Sequence, residues 1–215
     1  MRLLELFKGT GSVGKVFKEL YPEGEIVSVD ILKKYEPTYC GDIMEFDYKK
    51  YPVGHFDIIW GSPECKVYSI LQNTWLKTGK RGESGKWDSM EHLQRVRLEH
   101  GKFSKITLDM CEYLKPKWWF IENPWASAMK DLPHFKGVPS IRFDYCRFGY
   151  EYQKPTRIWT NRELEPIKCE CKEKHKIRLG ACSNTFRHKT VFADTTNINQ
   201  RYSIPPELLK HLFLQ

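Results

Sequence analysis

The chain lacks any apolar run approaching the ~20 residues of a membrane-crossing helix, so no membrane partner is expected. No secretory leader is expected in Met1 to Ser12, which pass from apolar to glycine-rich without a small-residue cleavage site and are read as part of the mature fold. There is no internal repeat. Nor can the cysteines all pair, since there are seven; an odd number in an intracellular-looking chain argues for thiols, a metal site or a nucleophile over a disulfide framework.

What is present is enough for a proper core. At 215 residues, 40% hydrophobic and 14% aromatic, the chain suits one large domain or a domain with a small insert, and excludes a fusion of two enzymes. Charge is divided unevenly. Residues 1–64 carry a net −3 and the remainder +11, which leaves +8. That polarity fits a ligand pocket early in the chain and a polyanion-binding face later, with a solvated basic surface as the plain alternative.

Short apolar runs keep ending in polar or glycine residues. Leu3–Phe7 precedes Gly9, Gly11 and Gly14; Glu25–Val29 ends at Asp30; Thr38–Cys40 leads into Gly41-Asp42-Ile43; Phe56–Trp60 ends at Gly61; Lys117–Ile121 ends at Glu122-Asn123-Pro124. Between them, Ser12–Leu20 carries helix formers. Met90–Leu114 is expected to be a long amphipathic helix, with Leu93, Val96, Phe103, Ile106 and Met110 on one face. Strands alternating with helices predict an α/β fold, a mostly parallel sheet wound on both faces, with ligands beyond the carboxyl ends of the strands. Residues 66–90 are expected to form a long mobile loop kept for function, and 162–198 a small irregular insert.

Several residues suit chemistry. Phe7-x-Gly9-x-Gly11 lets backbone approach a ligand, and Asp30 at the next strand end can bind ribose hydroxyls; with Gly14 counted, a dinucleotide site also stays open. Cys65, in Gly61-Ser62-Pro63-Glu64-Cys65, sits on a loop just past a strand, where a thiol can be activated. Glu122 ends another strand, where partial burial can raise its pKa until it donates a proton. Taken singly, each has a plain reading as a tight turn, an inert buried thiol or a capping acid.

In this order they resemble the DNA cytosine-5 methyltransferase family along nearly the whole chain. Leu6-Phe7-Lys8-Gly9-Thr10-Gly11 looks like that family's cofactor loop, and Gly41-Asp42-Ile43 like its adenine-binding triplet. Gly61-Ser62-Pro63-Glu64-Cys65-Lys66-Val67-Tyr68-Ser69 resembles its Gly-x-Pro-Pro-Cys-x-x-Phe-Ser motif, Phe120–Pro124 its Glu-Asn motif, and Gln153-Lys154-Pro155-Thr156-Arg157 its Gln-x-Arg-x-Arg. Ser203-Ile204-Pro205-Pro206 looks like its C-terminal motif. The departures are Glu64 for a proline, Lys66 for a glutamine, Pro155 for the first arginine and Arg201-Tyr202 for Gly-Asn.

The resemblance implies a Rossmann-like S-adenosylmethionine-dependent methyltransferase fold. Residues 1–161 and 199–215 would be the catalytic domain and 162–198 a short target-recognition insert. It implies Cys65 as nucleophile, Glu122 as acid, Asn123 to orient that carboxyl and Arg157 to brace a carbonyl or phosphate oxygen. Phe7, Gly9, Thr10, Gly11, Asp30, Ile31, Asp42, Ile43, Ser62, Pro63 and Ser203 would hold the cofactor. Lys66, Ser69, Lys80, Arg81 and Gln153 would contact DNA, the loop closing over a flipped cytosine. RNA is a variant substrate, and a binding-only relative or a nicotinamide enzyme the alternatives. Cys169, Cys171, His175 and Cys182 could supply four zinc ligands. A monomer is expected, in the cytoplasm of a prokaryotic or phage-infected cell, or in the nucleus of a eukaryotic or virus-infected one.

Overall fold

The structure is a computed structural model that describes residues 1–76, 87–150, 152–170 and 202–214. Strands β1 (Arg2–Leu6), β2 (Glu25–Asp30), β3 (Tyr39–Cys40), β4 (Ile58–Gly61), β5 (Trp118–Pro124), β6 (Ser140–Asp144) and β7 (Pro155–Thr160) make one sheet in the order β3-β2-β1-β4-β5-β7-β6. The first five run parallel to one another, and β7 alone among the described strands is reversed, antiparallel to both β5 and β6. Helices cover both faces, which is why β1 and β4 are nearly continuous apolar runs.

Side-chain alternation sorts the core into layers. Leu3, Ile58, Trp60, Phe120 and Ile158 face helices α1 (Ser12–Leu20) and α3 (Pro206–Leu214), while Leu4, Leu6, Ile59 and Val29 face α2 (Met90–Leu114). Helix α2 starts at the expected residue because the Ser89 hydroxyl caps it, accepting from His92 N at 3.1 Å. Its buried face differs from the expected one. Gly101, Ser104 and Thr107 are buried alongside Leu93, Met110, Cys111 and Leu114, whereas Val96, Phe103 and Ile106 are only half-buried. Thr107 packs on Gly61 of β4, where a β-carbon would meet its Cγ2 at 2.7 Å, while Gly101 lies against Leu132 and His134 and Ser104 shares a 2.8 Å hydrogen bond with His134.

The loop expected over 66–90 is partly ordered. Val67 and Tyr68 are buried against Met129, Phe135 and Trp159, and a short 3₁₀ helix spans Ile70–Trp75. A bridge pairs Leu76 with Trp87. Residue Ile167, inside the stretch assigned to the insert, bridges to Phe143 of β6. Among the described residues no helix is long and apolar enough to cross a membrane.

One buried acid has a measurable consequence. Glu5 lies inside the layer under α1, where its Oε1 accepts from Gly14 N at 3.3 Å; a β-carbon on Gly14 would meet Oε2 at 2.8 Å. Burial lifts its pKa from 4.5 to about 7. The folded state therefore keeps a proton that the unfolded chain releases, and the associated stability, full below pH 4.5, is lost as pH rises to about 7. The loss is about 3 kcal/mol, or roughly 6–12 °C in melting temperature for a chain of this size. Thermal melts of Glu5→Gln between pH 4.5 and 8 are expected to show a shallower decline than the parent protein; parallel curves would refute the assignment.

Candidate active site

The carboxyl ends of β1, β2, β4 and β5 gather the motifs. Between β1 and α1 three residues take left-handed backbone: Phe7 (φ 57°), Gly9 (φ 50°) and Gly11 (φ 67°). The loop curls round Asp30, whose Oδ2 accepts from Gly9 N and Oδ1 from Leu32 N, each at 2.8 Å. Asp42 Oδ1 accepts from Met44 N at 2.9 Å. Ile31, beside Asp30, is 68% exposed, although it is a large apolar side chain.

These residues fit a nucleoside ligand. A carboxylate has lone pairs beyond the two used here to accept ribose hydroxyls, and the exposed Ile31 offers an adenine ring an apolar face. Thr10 is half-exposed on the same loop. Other expected contacts are spent within the protein: Ile43 is buried in the core, and Ser62 Oγ accepts from Trp60 Nε1 at 2.8 Å. Ser203 shares a 2.6 Å hydrogen bond with the Tyr150 hydroxyl, and Ile204 N donates to Ser12 Oγ at 3.3 Å, which ties the C-terminal segment to the start of α1.

Cys65 follows β4 on a turn closed by Tyr68 N donating to Cys65 O at 3.1 Å. Neighbouring backbone pins the turn on several sides. Asn123 Nδ2 donates to Pro63 O at 3.0 Å, Ala128 N to Tyr68 O at 2.9 Å, and Gln72 Nε2 to Lys66 O at 2.8 Å, while Trp87 Nε1 holds the other end of that amide at 2.9 Å. Arg97 of α2 donates to Val67 O, Ser69 O and Asn73 Oδ1. Ser69 itself caps the following 3₁₀ turn, accepting from Leu71 N. Glu64 and Lys66 on either side of the thiol are exposed. Asn123 thus positions the turn, where sequence suggested that it orients the Glu122 carboxyl.

The electrostatics join Cys65 to Glu122. Burial pushes the thiol up to about 11, and the Glu122 carboxylate pushes it further the same way; Lys154 opposes them, and Glu64 adds the smallest increment. Burial also raises Glu122, against which Lys154 and a 3.4 Å hydrogen bond from the Tyr145 hydroxyl to Oε1 act. The Lys154 ammonium lies 4.6 Å from the centre of the Tyr145 ring. A thiol, a carboxyl, a buried phenol and an ammonium therefore share one electrostatic neighbourhood.

Arg157 and Gln153 lie elsewhere. Arg157 pairs in register with Asn123 and so faces the other side of the sheet from Glu122; its guanidinium stacks 3.8 Å from the Trp125 ring centre and donates to Ser140 Oγ at 2.7 Å. Gln153 Nε2 is spent on Asp144 Oδ2 at 2.9 Å, an oxygen that also accepts from Arg142 and Cys169 N. Lys80, Arg81, Cys171, His175 and Cys182 lie outside the described residues. Among the described residues no group of three or more His, Cys, Asp or Glu is placed to hold a metal. Sequence reasoning missed Tyr145, which has no local signal, and Lys154, which had one: a cation beside the proline that replaces an arginine.

A Frog virus 3 (isolate Goorha) protein named "Probable DNA (cytosine-5)-methyltransferase" is 31% identical over 224 residues, covering 99% of this chain and 98% of its own. No family model matches the chain. Among solved structures, the Entamoeba histolytica methyltransferase EhMeth superposes with a TM-score of 0.51 at 14% identity over 78% of this chain. That likeness concerns the fold, and the present chain spans 56% of the length of that protein.

Proposed function

The chain belongs to the DNA (cytosine-5)-methyltransferase family, and we propose that it transfers a methyl group from S-adenosylmethionine to C5 of a cytosine turned out of DNA, through a transient bond from Cys65 Sγ to C6. The observation that carries this reading is the charge coupling of Cys65 to Glu122 at the ends of neighbouring parallel strands β4 and β5.

C5 of cytosine is a weak nucleophile, so the ring must first be activated. The Cys65 sulfur pair forms the Sγ–C6 bond; the C5=C6 π pair moves to C4–C5, the C4=N3 pair moves to N3, and N3 takes the proton of Glu122. Both residues suit these parts. With the thiol and the carboxyl both raised, the pair holds a proton that either can carry, and a thiolate beside a neutral acid has the same net charge as a thiol beside a carboxylate. Asp30 and Ile31 would hold S-adenosylmethionine, which would supply an electrophilic methyl for the carbon thus enriched, the S–CH3 bond pair staying on the sulfur that leaves as a neutral thioether. Afterwards N3 returns its proton to Glu122, a base removes the C5 proton, and the Sγ–C6 pair returns to sulfur.

The test is a mechanism-based trap. DNA carrying 5-fluorocytosine cannot lose a proton from C5, so incubation with cofactor is expected to give a denaturant-stable protein–DNA adduct mapping to Cys65. An RNA oligomer run in parallel reads the substrate preference. Trapping of RNA alone would transfer the same chemistry to RNA, and no adduct with either would leave a binding-only relative. Residues 162–198 are proposed to recognise the target within an intracellular, monomeric enzyme. Metal analysis of the purified protein reads whether Cys169, Cys171, His175 and Cys182 hold zinc.

A further inference from the structure

The motif that should supply positive charge to the active site has lost it. Pro155 stands where the family pattern has an arginine, and the guanidinium of Arg157 is engaged by Trp125 and Ser140 on the other side of the sheet from Glu122. Yet two acidic groups, the Cys65 thiol and the Glu122 carboxyl, must carry a negative charge between them during the reaction. Lys154 reaches this pair by way of Tyr145: its ammonium lies 4.6 Å from the centre of the Tyr145 ring, whose hydroxyl donates to Glu122 Oε1 at 3.4 Å.

Backbone strain accompanies this placement. Lys154 has φ 31°, in the left-handed region that a side chain with a β-carbon disfavours. Three contacts hold it there. Gln153 is anchored on the fully buried Asp144, the Thr156 hydroxyl donates to Lys154 O at 3.0 Å, and Trp125 N donates to Pro155 O at 2.8 Å. A lysine in relaxed extended backbone would project differently, so the strain and its anchors act together to aim this side chain.

We propose that Lys154 is a positioning residue of the methyl-transfer site, a cation that stabilises the negative charge shared by Cys65 Sγ and the Glu122 carboxyl and so takes over the part of the missing arginine. The proposal rests on the reading of Cys65 as nucleophile and Glu122 as acid. The direction of its influence is consistent: Lys154 favours the anionic form of each group, against burial and against Glu64, which faces the thiol from the same loop.

The experiment separates this proposal from the activity. The rate of Cys65 alkylation by iodoacetamide is measured on the full chain between pH 7 and 9, with Cys65→Ser as the background for the other thiols. Because the rate follows the thiolate fraction, a thiol pKa raised by one unit lowers it roughly tenfold. Lys154→Met and Lys154→Gln are each expected to slow alkylation roughly fivefold to tenfold at every pH, and Lys154→Arg to restore most of the rate. In methyl transfer the same two variants are expected to lower kcat more than tenfold with little change in KM for S-adenosylmethionine. Unchanged alkylation in both neutral variants overturns the proposal. Slowing that arginine does not rescue overturns it too, since it would mark a loss of structure rather than of charge. If the alkylation results hold while Cys65→Ser still transfers methyl groups, the cation assignment stands and the catalytic reading falls.

Discussion

Exchange of Cys65 for serine is expected to lower methyl transfer by on the order of 10⁴-fold or more, as removal of a covalent nucleophile does elsewhere. A hydroxyl ionises far less readily than a thiol, and the same surroundings that raise Cys65 to about 11 would suppress an alkoxide further. Binding of S-adenosylmethionine is expected to stay within about twofold, because the Asp30 loop is built by the β1–α1 and β2 ends and does not use the thiol. Filter-bound label from tritiated cofactor measures the first quantity, and equilibrium dialysis the second. Transfer undiminished in the serine variant would remove Cys65 from the mechanism.

The second large effect belongs to Glu122. Glutamine keeps its size and can still accept from Tyr145, but it has no proton to give to N3; a loss of roughly 10²–10⁴-fold in kcat is expected, the usual worth of a positioned acid. The pH profile carries the sign. Burial raises the folded Glu122 pKa, so the acid stays protonated above the ordinary carboxylate range, and activity that depends on its proton is lost as pH rises through the raised value. Glu122→Gln is expected to lack that limb. A profile with the limb intact would assign the proton to another group.

Both effects depend on residues whose type and order are legible in the chain. Cys65 after a strand ending in Gly61, and Glu122 closing Trp118–Pro124, can be picked out because a buried parallel strand reads as an apolar run and its polar end marks the face where ligands bind. Asp30 and the Gly9–Gly11 turn are legible for the same reason. The bulky stripe expected on α2 was displaced, because helix period predicts a face and not what packs on it: Thr107 meets Gly61 of β4, and Gly101 and Ser104 meet the segment of Leu132 and His134. Order within residues 66–76 was also hidden, since Arg97, which holds the Val67 and Ser69 carbonyls, and Trp87, which holds the Gln72 side chain, both lie outside that stretch.

By itself, then, the amino-acid order determined the alternation of strands and helices and the family, and it singled out Cys65 and Glu122 as the residues proposed for nucleophile and acid, because each depends on local pattern and residue type. Only the tertiary structure decided which side chains surround them. Reversal of β7 puts Arg157 in register with Asn123 and away from Glu122; Asn123 turns to Pro63; Gln153 is drawn to Asp144; and Tyr145 meets Glu122 with Lys154 over its ring. Strand register and the left-handed turn at Lys154 fix those directions, and neither is written in the spacing of residues along the chain.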